Sequence, residues 1–133
     1  MGPRSLELPR ILDARGNLSF LQEGNQVPFA VRRVYWIYDV PGGEVRGSHA
    51  FRNTEEIVLA LSGSFEVVLH DGEAERVYPL KRSYVGLYVP QMLWRTLRDF
   101  STNSVALILA STPYDENDYV RDFDEFHQLR NGR

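Results

Sequence analysis

One of the three histidines keeps company that suits chemistry. In Gly47-Ser48-His49-Ala50-Phe51 the residue types fit a β-strand, on which alternate side chains share a face, so His49 and Phe51 point the same way. Glu56 opens the next strand-like stretch, and Gly63 marks the turn that follows it. An imidazole titrates near neutral pH and can accept and return a proton, and a neighbouring carboxylate can share that work. Tyr35 adds a phenol, with Arg33 on the same strand face, where the cation can sit beside the ring. Arg46 and Arg95 contribute two more guanidinium groups suited to phosphate or carboxylate. Strict alternation turns Arg46 away from His49, so it joins the group only across a bulge near Gly47 or at a barrel rim. Metal chemistry is not expected. Phe51 cannot ligate, Arg95 stays protonated, and His49 with Glu56 is too small a set for a tight transition-metal site.

These side chains need a scaffold, and the chain reads as a succession of short strands. A strand pair over Ile11–Leu21 turns at Ala14-Arg15-Gly16-Asn17. Val31–Val40 and Val45–Arg52 follow, and then Glu56–Leu61 and Ser64–His70 flank Ser62-Gly63. Asp71-Gly72 is a strong hairpin signal leading into Glu75–Tyr78, because both residues tolerate positive φ. Tyr84–Val89, Met92–Asp99 and Val105–Ala110 complete the set. Only Glu116–Leu129 reads as helical, with Asp115 as its cap. Many short strands with one terminal helix imply an all-β sandwich or barrel in a single domain spanning 1–133.

Composition narrows the function classes. The chain has 133 residues, no cysteine and a net charge of −3, so thiol nucleophiles, thiolate metal sites and disulfides are absent and general nucleic-acid binding is not expected. Residues 1–6 lack the apolar stretch of a secretory signal and no run reaches membrane-spanning length, so a cytoplasmic location is expected. Fourteen arginines stand against one lysine, Lys81, a bias that coding preference alone can produce but that also suits phosphate recognition.

The spacing from His49 through Phe51 and Glu56 to Gly63 resembles the first cupin motif, with phenylalanine at its second histidine and Arg95 at the later histidine position. Four longer blocks sharpen the likeness. They are Val31–Tyr38, Arg46-Gly47-Ser48-His49-Ala50, Val85-Gly86-Leu87-Tyr88-Val89-Pro90, and the run from Leu109 through Tyr114 and Tyr119 to Arg121. In their order they resemble the dTDP-4-keto-6-deoxyglucose 3,4-ketoisomerases, the WxcM-like group of cupins, from about Leu8 to Phe126. The resemblance implies a cupin jelly-roll barrel with a short C-terminal helical tail. It implies a homodimer with exchanged N-terminal strands, a dTDP-linked nucleotide-sugar substrate and no cofactor. It places His49 as general base and Tyr35 near the reacting carbons, with Glu56 as a further catalytic candidate. Arg33, Arg46, Phe51 and Arg95 become substrate-binding candidates, and Arg15 joins them if an exchanged strand carries it to a neighbour's site.

Two departures bear on the reaction. The family usually has a second histidine at Phe51 and often glutamine at Glu56, so His49 alone, Glu56 or an ordered water must move the second proton. Reduced or altered catalysis is one expectation. A different outcome on a related nucleotide sugar, and a non-catalytic nucleotide-sugar-binding role, are the alternatives. His70 and His127 read as solvated, and Asp115, Glu116 and Asp118 as an acidic patch that caps the tail helix.

Overall fold

Residues 2–132 are described by the structure, a computed structural model of the chain. The β-prone stretches form two five-stranded antiparallel sheets. The first runs β1 (Arg4–Glu7), β9 (Val85–Val89), β6 (Glu56–Ser62), β11 (Val105–Ala110), β4 (Arg33–Tyr38). The second runs β12 (Tyr119–Val120), β5 (Arg46–Phe51), β10 (Trp94–Arg98), β7 (Phe65–His70), β8 (Glu75–Leu80). A small hairpin, β2 (Arg10–Ile11) with β3 (Leu18–Ser19), stands apart, and α1 (Phe123–Asn131) closes the chain. The order of strands, with neighbours distant in sequence, is that of a jelly roll.

Alternation within the strands explains the layers. Val58 and Ala60 of β6 and Ala106 and Ile108 of β11 meet Phe65, Val67, Leu69 and Leu97 of the opposite sheet in the central core. The intervening Ile57, Leu59 and Leu109 face outward, where Leu8, Val27 and Tyr88 cover them. The first sheet is therefore apolar on both faces, and β6 reads as a nearly continuous hydrophobic run. The inner parity of β4 and β6 carries Arg33, Tyr35 and Glu56 to one end of the central layer.

Four readings of the sequence need correction. The strand pair expected over Ile11–Leu21 is shorter, and β1, unforeseen, pairs Arg4–Glu7 with Tyr88–Val85. The helix expected over Glu116–Leu129 is divided. Asp115 accepts from the Asn117 N–H (3.0 Å) and caps only a one-turn 3-10 helix, Glu116–Asp118; Tyr119 and Val120 then pair with Phe51 and Ala50 as β12. The α-helix starts at Phe123, where Asp122 caps it by accepting from Glu125 N at 3.1 Å. Asp118 is not part of a surface patch. It is buried and accepts from Asn53 N (2.7 Å) and the Thr54 hydroxyl, bonds that hold the segment extended enough to join the sheet. Lastly, His70 is not simply solvated: its Nδ1 accepts from Gly72 N at 2.9 Å, and its ring meets Phe123 edge-on at 5.1 Å.

Candidate active site

A cleft of about 450 Å3 opens at one end of the sandwich, lined by Tyr35, Trp36, Arg46, Ser48, His49, Arg95, Tyr119 and Arg121 among others. Its centre is set by the pairing of β5 with β10. His49 lies opposite Arg95, and Arg46 lies opposite Leu97, so three steps along β5 match two along β10. The extra residue is a bulge, and Gly47 takes φ +72°, a conformation that favours glycine. Because the bulge resets the alternation, Arg46 joins His49 at the cleft instead of turning away. A Cβ on Gly47 would stand 2.9 Å from Arg95 Nη1, so the missing side chain also makes room for the guanidinium.

Arg95 organises the site. It is buried, and its Nε lies 2.6 Å from Glu56 Oε1 in an ion pair between side chains that are almost wholly enclosed. The Nε–H is not aligned as a hydrogen bond to that oxygen, so Coulomb attraction carries the contact. Its Nη2 donates to the Tyr35 hydroxyl at 3.1 Å, and its Nη1 donates to Gly47 O at 3.2 Å and to His49 Nε2 at 2.7 Å. Tyr35 in turn donates its proton to Glu56 Oε2. A continuous chain therefore runs from Tyr35 through Glu56 and Arg95 to His49. Glu56 does not contact His49 directly; the guanidinium stands between them.

The protonation states follow from these contacts. Arginine has no acceptor and stays charged, so the His49 Nε2 that receives its hydrogen bond carries no proton; the neutral imidazole holds its proton on Nδ1. Burial first, and then the positive charges of Arg95, Arg121 and Arg33, hold the His49 pKa down to about 3. Burial also pushes the Tyr35 phenol well above its usual range; Arg95 opposes this and Glu56 adds to it. Tyr35 thus keeps its proton, aimed at Glu56.

Of the residues singled out in the sequence, Tyr35, Arg46, His49 and Arg95 line the cleft, and Glu56 lies directly behind it. Phe51 is buried, its ring edge-on to His49 at 4.8 Å and under the Arg95 guanidinium at 5.4 Å. Arg33 stands behind the cleft wall, its guanidinium 5.4 Å from the Tyr35 ring and 5.9 Å from Phe51, with Nε and Nη2 buried and without a hydrogen-bond partner among the described residues. Arg15 is elsewhere: it sits on the exposed turn of the β2–β3 hairpin, bonded to Asp13 at 2.7 Å. Tyr119 and Arg121 were missed as site residues. Both fall within the fourth family-like block, but the helical reading hid that Tyr119 is on a strand beside His49. Its ring is 4.8 Å from His49 and 4.7 Å from Phe51, and Arg121 lies 4.2 Å over it while bonding Glu116 at 3.1 Å.

The donor set does not fit a metal ion. At the cupin motif positions stand a phenylalanine and an arginine, and the one carboxylate is ion-paired to that arginine. Among the described residues no three histidine, aspartate or glutamate side chains converge.

A jelly roll whose motif strands bring a histidine, an enclosed Glu–Arg pair and the cleft arginines to one end of the sandwich has the architecture of a cupin. Comparison with known proteins agrees. A family model described as FdtA: WxcM-like, C-terminal, matches residues 1–131, and the chain belongs to that family. The TDP-4-oxo-6-deoxy-alpha-D-glucose-3,4-oxoisomerase of Aneurinibacillus thermoaerophilus is 40% identical over 126 residues, covering 95% of this chain and 91% of that protein. A 3,4-ketoisomerase from Helicobacter canadensis matches with TM-score 0.95 at 37% identity over 98% of both chains. A point variant of QdtA, the 3,4-ketoisomerase of Thermoanaerobacterium thermosaccharolyticum, was solved in complex with TDP-4-keto-6-deoxyglucose. It matches with TM-score 0.96 at 30% identity over 99% of this chain and 96% of that one.

Proposed function

We propose that this chain is an isomerase, a 3,4-ketoisomerase that converts TDP-4-keto-6-deoxyglucose into the 3-keto sugar. The reaction moves a carbonyl within one molecule, so oxidation at C3 and reduction at C4 cancel and no redox partner is consumed. It needs a base for the C3 proton, a donor for the oxygen that becomes anionic, and cations for the diphosphate. The observation that carries the reading is the Arg95 Nη1 contact on His49 Nε2 at 2.7 Å in an arginine-lined cleft. In the mechanism we favour, Nη1 leaves the imidazole for the substrate's C4 oxygen. That one movement frees Nε2 to take the C3 proton and places a charge-assisted donor on the developing enolate. Glu56 and Tyr35 position the guanidinium from behind, and Arg46 and Arg121 face the diphosphate. Arg33, under the Tyr35 and Phe51 rings, adds positive field to the same end of the cleft.

A second copy of the chain completes the assembly in this reading. The edge strand β4 turns Val34, Trp36 and Tyr38 outward, with Trp36 58% exposed. Ile11, Leu12 and Leu18 of the β2–β3 hairpin are exposed as well. An open apolar edge is a template for pairing, and a homodimer with exchanged N-terminal strands would cover it. The exchange would also carry Arg15 toward the neighbouring cleft. No described helix is long and apolar enough to cross a membrane; a cytoplasmic location belongs to the same proposal. The direct test is incubation with TDP-4-keto-6-deoxyglucose followed by NMR of the sugar. A 3-keto product is expected, and unchanged substrate would refute the assignment.

A further inference from the structure

The ketoisomerase reading leaves one chemical requirement unassigned. After the C3 proton has left, C4 must receive a proton, and the donor must be an acid that can reach the sugar. Tyr35 is poorly placed for this, because its hydroxyl hydrogen is engaged by Glu56 and its oxygen accepts from Arg95. Glu56 is enclosed and ion-paired to Arg95. Phe51 carries no proton to give. Arg95 and the other guanidinium groups are far too weak as acids to yield one.

One further acid lines the same cleft. Tyr119 comes from β12, which pairs with β5 at Phe51, so its ring packs against both His49 (4.8 Å) and Phe51 (4.7 Å). Unlike that of Tyr35, its hydroxyl forms no hydrogen bond with any described residue. Arg121, anchored by Glu116, lies over the ring at 4.2 Å and helps hold it in place. The ring is thus fixed by packing and stacking while its hydroxyl is left free.

We infer that Tyr119 is a catalytic residue, the acid that delivers the proton to C4. His49 Nε2 takes the C3 proton, the C3–H pair becomes the C3=C4 bond, and the C4 carbonyl π pair moves onto O4. The enediolate passes its O3 proton to O4. The O3 pair then forms the C3 carbonyl, the C3=C4 pair takes the Tyr119 hydroxyl proton at C4, and Tyr119 is left as phenolate beside protonated His49. A proton passing from His49 to Tyr119, directly or through solvent, restores both groups. Every proton and electron pair is accounted for without a co-reactant. The rings are neighbours, so the reset spans a short path.

The inference rests on the ketoisomerase reading, and the two can fail separately. Tyr119→Phe keeps the ring that packs on His49 and Phe51 and removes only the hydroxyl. With TDP-4-keto-6-deoxyglucose in deuterated water, this variant should form 3-keto product about 100-fold more slowly than wild type, a typical loss for a proton-transfer group. Recovered substrate should still gain deuterium at C3, because the base is intact. Wild-type enzyme in excess over substrate deuterated at C3, in ordinary water and in a single turnover, should yield product without that deuterium at C4, since different groups remove and deliver. Product formation by Tyr119→Phe at the wild-type rate would overturn the assignment. So would loss of C3 exchange in step with product formation, or transfer of the C3 deuterium to C4 within that single turnover. Wild-type protein that neither exchanges C3 nor makes product would overturn the ketoisomerase reading itself, and the role of Tyr119 with it.

Discussion

Arg95 donates from Nη1 to His49 Nε2 at 2.7 Å, so the nitrogen expected to act as base is here a hydrogen-bond acceptor. A donor-only partner selects the neutral imidazole and its Nδ1–H tautomer. The same guanidinium ties that state to Glu56, 2.6 Å away, and to Tyr35, 3.1 Å away. Basicity at His49 is therefore governed first by its burial, and then by where Arg95 points and how much positive charge the cleft carries.

The first prediction concerns titration. Burial and the neighbouring arginines hold His49 down to about 3, so in the free protein its ring should remain neutral across pH 5–8. Binding TDP places negative charge among those arginines and should raise the value. The sign for stability follows. The unfolded chain takes up a proton at His49 near pH 6.5 and the folded one near 3, so this group's contribution is full above about 6.5 and is lost as pH falls toward 3. Histidine NMR shifts followed with pH, with and without TDP, provide the check. A free-protein midpoint near 6.5 would contradict the geometry.

The second concerns the enclosed ion pair. Glu56→Ala leaves a buried guanidinium uncompensated, and Arg95→Ala leaves a buried carboxylate, so each should cost about 3–5 kcal/mol in urea unfolding. The double variant Glu56→Leu/Arg95→Met removes both charges and should recover most of that loss while remaining inactive. Equal destabilisation by the single and double variants would show that packing, not charge, dominates there.

The third concerns assembly. Arg15 lies on an exposed hairpin turn and does not line the cleft of its own chain. If strand exchange delivers it to a second copy, Arg15→Ala and His49→Asn should each be impaired alone, yet recover activity when unfolded and refolded together. A mixed dimer then contains one cleft with both residues intact. No recovery, or a monomer by light scattering, would refute this placement.

Much of the site was legible because spacing on a strand fixes the facing of side chains. His49 with Phe51, and Arg33 with Tyr35, needed only alternation to be grouped correctly. The position of Arg46 depended on a bulge, which Gly47 hinted at but could not prove, since glycine also occurs in unbulged strands. Tyr119 was hidden for a different reason. Its segment carries the acidic residues and intervals of a helix start, whereas its real conformation is decided by distant contacts: Asp118 with Asn53 and Thr54, and the ladder to Phe51 and Ala50. Local preference lost to pairing that no short window contains. The interposition of Arg95 between Glu56 and His49 was equally invisible, because Arg95 comes from β10, far along the chain from the consecutive strands β5 and β6.

The account depends most on His49 as the group that removes the C3 proton. The measurement is the rate at which solvent deuterium enters C3 of TDP-4-keto-6-deoxyglucose, compared between wild type and His49→Asn after equal TDP binding has been established. Loss of a general base should slow exchange by about 100-fold or more while TDP still binds. Exchange by His49→Asn at the wild-type rate would contradict the account and move the base to another residue.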